Sequence, residues 1–367
     1  IRAEVAEYAP APLAEPWDRV GLQCGEPGME VRRAMTALTV TPGVIEQAAA
    51  FGAEAIVAHH PLIYKDMSAL RYDDRVGALL KMLAERSMAL YVAHTNLDAA
   101  AGGVNDWLAE RLGLQGAIPL VPSQRGEAQY KLVTFVPLDA VEAVRSALAG
   151  AGAGVIGDYT HCTFGVEGMG TFLPQAGASP YVGAVGRLES VREVRLEILV
   201  PEGVKEEALR ALRAAHPYEE VAVDLYPLAS ASPVLTGIGR VGELPETLDA
   251  EEFAAKVKKS LSLPKVRLSG ARVHEVRRVA VVGGSGGSFV RRAKQMGADA
   301  LVTGDVDYHD ADEARFLGLL IVDAGHFGTE RHVPGELARY LVDAARQEGA
   351  RLEAAAAEEA DAHWGDI

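Results

Sequence analysis

The sequence predicts an α/β fold: a duplicated αβ core with mostly parallel sheets, interrupted by a smaller α+β domain. Short apolar strands alternate with helical segments in the first third of the chain and again in the last third, which is the pattern of βαβ units. The middle third has a different rhythm of strands and helices. At 367 residues the chain is long enough for two or three domains.

Residues 1–127 are predicted to form the first half of the core. The apolar runs of buried strands are MTALTVTP, EAIVAHHP and MALYVAHTNLD. Helical periodicity follows each strand, in GVIEQAAAFGA, DDRVGALLKMLAERS and GGVNDWLAERLG. Strands joined by helices in this way predict a parallel sheet with helices on its faces.

Residues 128–230 are predicted to form the insert. YKLVTFVP leads into DAVEAVRSALAGAGA, and VREVRLEILVP leads through KEEALRALRAAH to EEVAVDLYPL. These two β-α-β halves indicate a ferredoxin-like domain, bordered by the polar, turn-rich stretches VPSQRGEAQ and LASASPVLTG. We interpret HPYEE (216–220) as a turn into a strand; the alternative is ligand or metal binding by His216, Glu219 and Glu220.

Residues 231–367 are predicted to form the second half of the core. The strands RRVAVVGG, DALVTGD and GLLIVDAGH alternate with the helices SGGSFVRRAKQMGA, DADEARFLG and TERHVPGELARYLVDAARQEG. GAEAIVAHH (52–60) aligns with GADALVTGD (297–305), and we interpret this match as an internal duplication split by the insert. The alternative is the general similarity of any two βαβ units.

Composition restricts the functional classes. The formal net charge is −15, which argues against general nucleic-acid binding, because such binding draws on Lys and Arg. No apolar run reaches the ~20 residues that span a bilayer, and the first residues lack the pattern of a secretory signal. Two cysteines far apart, Cys24 and Cys162, argue against a disulfide framework or a thiolate zinc site. We therefore expect a cytoplasmic protein that does not bind membranes.

Imidazole and carboxylate side chains follow four of the predicted strands. They are His59 and His60, His94 with Asp98, Asp305, and Asp323 with His326. Ligands of parallel α/β sheets bind beyond the carboxyl ends of the strands, so we expect these residues to converge. Glu330 follows His326 by four residues, which places both on one face of a helix. Imidazole and carboxylate without thiolate suit zinc, iron, manganese, cobalt or nickel.

The doublet His59-His60 predicts two metal ions rather than one. Adjacent side chains of an extended chain point to opposite sides, so each imidazole can bind a different ion of a close pair. Two-metal sites with ions about 3.5–4 Å apart need a bridging group, and Glu330 is the predicted bridge. Four other residues either orient the ligands or only cap and turn the chain, and both interpretations stay open. These four are His94, Asp305, His309 and Asp323.

A glycine-rich turn, GGSGGS (283–288), follows the first strand of the last third. Its backbone N–H groups could surround a phosphate. It lacks the Lys-Ser/Thr of a P-loop and is not GxGxxG, so the alternative is a tight strand-to-helix turn. The candidate phosphate-binding residues are Gly283, Gly284, Ser285 and Gly286.

Five motifs in the outer thirds are WDRVGLQCG, IVAHHPLIY, AHTNLD, TGDVDYHDA and DAGHFGTE. Together they resemble the Nif-three-like (NGG-one-interacting-factor-three-like) family, which is often labelled GTP cyclohydrolase type 2 homologue. In that family the first motif more often reads WDNVGL, and Arg19 replaces the Asn here. The middle resembles the PII/CutA-like insert of longer bacterial members, in AGAGVIGDYTHCTF, GMGTF and AHPYEEVAVDLYPL.

The resemblance implies two divalent metal ions per chain (zinc, iron or manganese) and a homo-oligomer, a hexamer built as a trimer of dimers. The implied metal ligands are His59, His60, Asp98, His326 and Glu330. The expected function is metal-dependent hydrolysis of a small-molecule ligand, a nucleotide or phosphoester-type substrate, and the family label suggests GTP ring opening. The alternative is a metal-dependent regulatory or binding scaffold without turnover.

Overall fold

The structure, a computed structural model, describes residues 2–123, 129–156, 159–228 and 235–359, with side chains from residue 5 onward. It divides the chain into two compact units. The first consists of Ile1–Gln124 with Val234–Ile367, and the second of Arg125–Pro233. The domain borders predicted after residues 127 and 230 lie outside the described residues.

Strands in the described residues form three sheets. They are β1 (Gly21–Cys24), β2 (Arg33–Ala37), β3 (Ala55–Ala58), β4 (Ala89–Val92), β5 (Gln115–Pro122), β6 (Gln129–Pro137), β7 (Thr163–Phe172), β8 (Glu189–Pro201), β9 (Val223–Leu228), β10 (Gly237–Leu248), β11 (Arg267–Gly270), β12 (Val276–Ser285), β13 (Ala300–Gly304), β14 (Leu320–Asp323) and β15 (Glu353–Ala356).

Helices connect most of these strands. They are α1 (Arg2–Tyr8), α2 (Pro42–Phe51), α3 (Arg75–Glu85), α4 (Thr95–Ala99), α5 (Val104–Leu112), α6 (Val141–Gly150), α7 (Lys205–Ala215), α8 (Ala250–Ser260), α9 (Val290–Gln295), α10 (Tyr308–Leu317), α11 (His326–Glu330) and α12 (Val333–Gln347). Among the described residues, no helix combines the length and the apolar character needed to cross a membrane.

The first half of the core is built on a five-stranded sheet with the order β1-β4-β3-β2-β15. Four of its five strands are parallel, namely β4, β3, β2 and β15, and β1 is antiparallel to β4. Strands β3 (AIVA) and β4 (ALYV) are buried at every position, because helices cover both faces. Thr41 caps the N-terminus of helix α2 by accepting a hydrogen bond from the Val44 N–H, and Gly52, in the left-handed conformation, caps its C-terminus.

The second half repeats this plan in a six-stranded sheet with the order β11-β14-β13-β12-β10-β5. Strands β12, β13 and β14 are parallel, and β11 is antiparallel to β14 just as β1 is to β4. The shared order confirms the duplicated core. This sheet is mixed rather than mostly parallel, because β5 and β10 add two antiparallel strands at one edge. These are the strands that lead into and out of the insert.

Helix α5 joins the two halves. Its Val104 and Trp107 pack in the apolar cluster beside the first sheet, and its Leu108 and Leu112 pack in the cluster of the second sheet. Asp106 on the same helix accepts two hydrogen bonds of 2.6 Å from the guanidinium of Arg240 on β10, which is 1% exposed. The helix therefore fixes the halves through both apolar packing and a buried ion pair.

The second unit has the chain order β6-α6-β7-β8-α7-β9 and an antiparallel sheet with the strand order β7-β8-β6-β9. This is the ferredoxin-like arrangement. The buried His216 bonds to the carbonyl of Phe135 through Nε2 (3.0 Å) and accepts the Tyr218 N–H through Nδ1 (3.1 Å). The imidazole thus satisfies backbone groups at the turn that leads into β9.

Candidate metal centre

The doublet His59-His60 continues the extended chain beyond β3. The His59 N–H donates to the Ala37 carbonyl (3.0 Å) and the His60 N–H to the Leu38 carbonyl (2.8 Å), beside β2. The two ring centroids are 5.1 Å apart. Because the backbone is extended here, the two imidazoles point in different directions: His59 Nδ1 bonds to the Ala93 carbonyl and His60 Nδ1 to Thr39 Oγ1.

The imidazole of His59 is fully buried and has one free nitrogen. Its Nδ1 donates to the Ala93 carbonyl (2.8 Å), so in the neutral ring Nε2 carries a lone pair. This Nε2 lies 3.7 Å from Asp98 Oδ1 and 3.7 Å from Glu330 Oε1. Among the described residues, His59 Nε2 and Asp98 Oδ1 are buried atoms without a hydrogen-bond partner. Two acceptor atoms that face each other need a positive charge between them, either a proton on the imidazole or a metal ion.

A second pair of imidazoles converges on the other carboxylate oxygen of Glu330. His60 Nε2 lies 3.0 Å and His326 Nε2 3.2 Å from Glu330 Oε2, and the two nitrogens are 3.2 Å apart. Hydrogen bonds at the opposite nitrogens fix the orientation of both rings. His60 Nδ1 is hydrogen-bonded to Thr39 Oγ1 (2.8 Å), and His326 Nδ1 donates to Asp305 Oδ2 (2.6 Å). Both rings therefore aim Nε2 at one point.

The carboxylate of Glu330 is shared between these two groups. It is 3% exposed, at the end of the short helix α11 and four residues after His326. The chain of β12 passes directly over it: a Cβ at Gly284 would lie 2.4 Å from Glu330 Oε1, and Gly284 has a φ of +66°. Only glycine fits this approach and this backbone conformation.

Three groups of donor atoms can hold a metal ion, with all atoms of a group within 4.8 Å of one another. They are His59 with Asp98 and Glu330, His60 with His326 and Glu330, and His59 with His60 and His94. The structure thus brings together the residues predicted as ligands, from both halves of the core.

Charge in the centre favours a cation. Burial lowers the pKa of His59, but the carboxylates of Asp98 and Glu330 outweigh it and raise this pKa to about 9. The hydrogen bond with Glu330 raises the pKa of His326 to about 9 as well, against the effect of burial. Burial opposes ionisation of Glu330, yet hydrogen bonds from the surrounding imidazoles hold its pKa well below the usual range. The centre therefore attracts positive charge, which a metal ion supplies without protons.

His94 also lies in the centre, held by an acid that the sequence interpretation missed. Its Nδ1 donates to Asp18 Oδ1 (2.9 Å), and its ring centroid is 5.2 Å from that of His59. Asp18 is 8% exposed and also accepts the Thr95 N–H (3.0 Å). Burial raises the pKa of Asp18, but hydrogen bonds from His94 and Thr95 outweigh it and lower this pKa. The only sequence signal was its place in the WDRVG motif.

Three other candidates have different roles. Asp305 orients His326, from a left-handed backbone conformation with a φ of 52°. Asp323 accepts the Gly325 N–H (3.0 Å) and pairs with Arg267, so it turns the chain before α11, and it belongs to none of the donor groups among the described residues. His309 is exposed on α10 with its ring edge-on to a neighbouring tyrosine (5.6 Å), and belongs to none of the groups found among the described residues.

The glycine-rich segment lies beside the centre but its first amides are engaged. The Gly283 N–H donates to Asn105 Oδ1 and the Gly284 N–H to Thr329 Oγ1, both at 2.9 Å. Strand β12 continues to Ser285. The Gly286 N–H donates to the Gly304 carbonyl (3.4 Å), so three of the four candidate phosphate-binding amides are engaged, and the tight-turn interpretation fits the segment.

The donor set fits divalent metal ions. The centre combines imidazole nitrogens whose opposite nitrogens are fixed, a buried carboxylate (Glu330) and a partly buried one (Asp98). These are the features of zinc, iron or manganese sites. His59 and Asp98 lie on one side of Glu330, and His60 and His326 on the other. The arrangement can therefore polarise a small ligand and activate water once metal is bound.

Known proteins resemble the chain over nearly its whole length. The family model described as Duf34/NIF3 (NGG1p interacting factor 3) matches residues 1–361. A protein of Halalkalibacterium halodurans named GTP cyclohydrolase 1 type 2 homolog is 44% identical over 319 residues, 87% of this chain and 85% of that protein. One of the same name from Bacillus subtilis is 42% identical over 321 residues, 88% and 86% of the two chains.

Solved structures agree with this assignment. A Bacillus cereus protein related to NIF3 has a TM-score of 0.78 and 40% identity, covering 100% of this chain and 97% of that chain. A Staphylococcus aureus protein has a TM-score of 0.86 and 29% identity, with the same coverage of both chains. The match of the family model, the identity to these relatives and the shared fold show that the chain belongs to the Duf34/NIF3 family.

Proposed function

We propose that the chain is a dinuclear divalent-metal hydrolase that acts on a nucleotide or phosphoester-type substrate. The observation that carries this proposal is the shared carboxylate of Glu330, with one oxygen 3.7 Å from His59 Nε2 and the other 3.0 Å from His60 Nε2. A carboxylate whose two oxygens serve two sets of nitrogen donors is the natural bridge of a metal pair. The relatives' name, GTP cyclohydrolase 1 type 2 homolog, agrees with a nucleotide substrate.

Five side chains would hold the two ions. His59 and Asp98 would bind one ion, His60 and His326 the other, and Glu330 both. When bound, a pair of divalent ions supplies Lewis acidity toward a carbonyl or phosphoryl oxygen and lowers the pKa of water. Proton transfer is then the task of protein side chains.

His94 is the residue that we assign to proton transfer. Its Nδ1 is fixed by Asp18, which leaves Nε2 on the side of the ring that can face substrate. A buried carboxylate behind an imidazole fixes the tautomer and stabilises the imidazolium that forms when Nε2 accepts a proton. His94 therefore can take a proton from the attacking nucleophile and return it to the leaving group.

Metal analysis and turnover together test the proposal. The purified chain is loaded with zinc or manganese, dialysed, and analysed for metal; we expect close to two equivalents per chain. The same samples are assayed with GTP and with an aryl phosphate ester. Asp98→Ala should lose mainly one equivalent, whereas the control His309→Ala should lose none.

Two results would contradict the proposal in different ways. Metal content below one equivalent in the loaded wild-type chain would remove the dinuclear centre. Full metal content without turnover of any substrate would leave the centre and remove the hydrolase, in favour of a metal-dependent scaffold. His94→Gln separates the roles further, since it should abolish turnover and keep both ions.

A further inference from the structure

Two exposed aromatic side chains lie beside the candidate metal centre. Trp17 is 51% exposed and Tyr64 is 50% exposed. Their ring centroids are 5.9 Å apart, with an angle of 58° between the ring planes. We call these two residues the aromatic pair. Aromatic side chains contribute most when another surface covers them, so an exposed pair at the edge of a site is suited to bind a ligand.

Hydrogen bonds that do not involve the rings hold the aromatic pair in place. The Gln23 side chain donates to the carbonyls of Arg19 (2.8 Å) and Ile63 (3.0 Å) and accepts the Ile63 N–H (2.8 Å). The Arg19 guanidinium also pairs with Asp66 Oδ1 at 3.2 Å. Trp17 is two residues before Arg19, and Tyr64 follows Ile63. Both segments are thus tied together, and covering the rings costs little conformational entropy.

The aromatic pair is continuous with the imidazoles of the centre. The Trp17 ring centroid is 6.2 Å from that of His94, with the planes at 73°. The His94 ring is in turn 5.2 Å from His59 and 5.8 Å from His60. A ligand that places an anionic group at the centre therefore has its adjoining part within reach of the indole of Trp17.

We propose that the aromatic pair is the base-binding subsite for a nucleotide whose phosphate reaches the metal centre. The inference rests on the proposed function, because the phosphate needs bound metal. Anionic phosphate oxygens suit divalent cations, and a flat heteroaromatic ring suits the faces of Trp17 and Tyr64. Stacking of this kind strengthens binding about 5- to 150-fold per base and tolerates different bases, since it reads the face of the ring.

A comparison of two phosphates tests the inference. GMP and ribose 5-phosphate share the sugar phosphate, and only GMP carries a ring that can stack. Binding to the metal-loaded full chain is measured by calorimetry, and metal content is measured on the same samples. We expect GMP to bind at least about 10-fold more tightly than ribose 5-phosphate.

Variants assign the difference to the aromatic pair. Trp17→Ala should reduce GMP binding to within about twofold of ribose 5-phosphate, and leave the binding of ribose 5-phosphate and the metal content unchanged. Trp17→Phe keeps a ring and should restore most of the preference, and Tyr64→Ala should reduce it partly. Phe316→Ala, at a phenylalanine that is 86% exposed on α10, is the control and should change nothing.

The outcomes separate this inference from the proposed function. Equal binding of GMP and ribose 5-phosphate by the metal-loaded wild type, or no binding of either, would overturn the subsite and leave the metal centre standing. An unchanged GMP preference in Trp17→Ala and in Tyr64→Ala would do the same. A wild-type chain that takes up no metal would overturn both.

Discussion

Replacement of Glu330 by glutamine tests the metal pair most directly. Gln keeps the volume of the side chain, which matters because Gly284 leaves no spare room over Oε1. It removes the negative charge and turns one oxygen into an NH2 donor. That group would face the Nε2 atom of His59 or those of His60 and His326. Since both oxygens of Glu330 have nitrogen donors within 3.7 Å, the substitution affects both sets of ligands at once.

The size of the effect follows from Coulomb's law. Two unit charges 4 Å apart interact by about 4 kcal/mol at an effective dielectric constant of about 20. If relaxation and solvent recover half of this energy, the loss is about 2 kcal/mol for each ion, or about 30-fold in each dissociation constant. Glu330→Gln should therefore weaken both metal sites by at least about 30-fold.

Competition with a chelator of known affinity measures the two dissociation constants. Glu246→Gln makes the same chemical change at an exposed position on β10 and serves as the control. Circular dichroism shows whether each variant is folded. If Glu330→Gln kept one ion at the wild-type affinity, Glu330 would be a terminal ligand of the other ion, and the bridging role would be refuted.

Three further predictions concern the frame around the centre. Asp106→Asn should lower the free energy of unfolding by about 3 kcal/mol in urea titrations, because it leaves the buried charge of Arg240 uncompensated; an unchanged midpoint would contradict this. Replacement of Arg125–Pro233 by an Asn-Gly turn should give a folded chain with full metal content, because β5 and β10 already pair antiparallel. Loss of metal from a folded product would show that the insert contributes to the centre. Gly284→Ala should abolish metal uptake in a folded chain, because the new methyl group would displace the bridging carboxylate; normal uptake would disprove this close approach.

Much of the core was predictable from sequence because its central strands are continuous apolar runs. Strands β3, β4, β13 and β14 are buried at every position, and each was predicted. Edge strands gave no such signal. Strand β1 (GLQC) is only half-buried, and β15 (EAAA) has the composition of a helix but pairs parallel with β2. Their pairing is decided by tertiary contacts, which override local propensity.

The candidate centre was predictable to the same extent and for a related reason. Side chains at the ends of parallel strands meet at one edge of their sheet, so the convergence of His59 with Asp98 followed from the strand pattern. Glu330 follows β14 of the other sheet, and packing of the two halves against α5 brings it to His59. The contacts that hold the donor side chains in place did not follow from the strand pattern. Asp18 reaches His94 across 76 residues, and the Asn105 side chain reaches the Gly283 N–H across 178. Contacts of this kind depend on packing between elements, and a single sequence carries no periodic signal for them.

The duplicated halves contribute to the centre in ways that are similar but not equivalent. Each half supplies one imidazole whose Nδ1 is held by a carboxylate: His94 by Asp18 at 2.9 Å, and His326 by Asp305 at 2.6 Å. The first half adds the doublet at the end of β3, whereas the aligned position after β13 is Asp305. His326 faces the shared carboxylate, with 3.2 Å between Nε2 and Oε2. His94 has the same support but no ion pair with Glu330 among the described residues, and this difference is why we assign proton transfer to His94 and metal binding to His326.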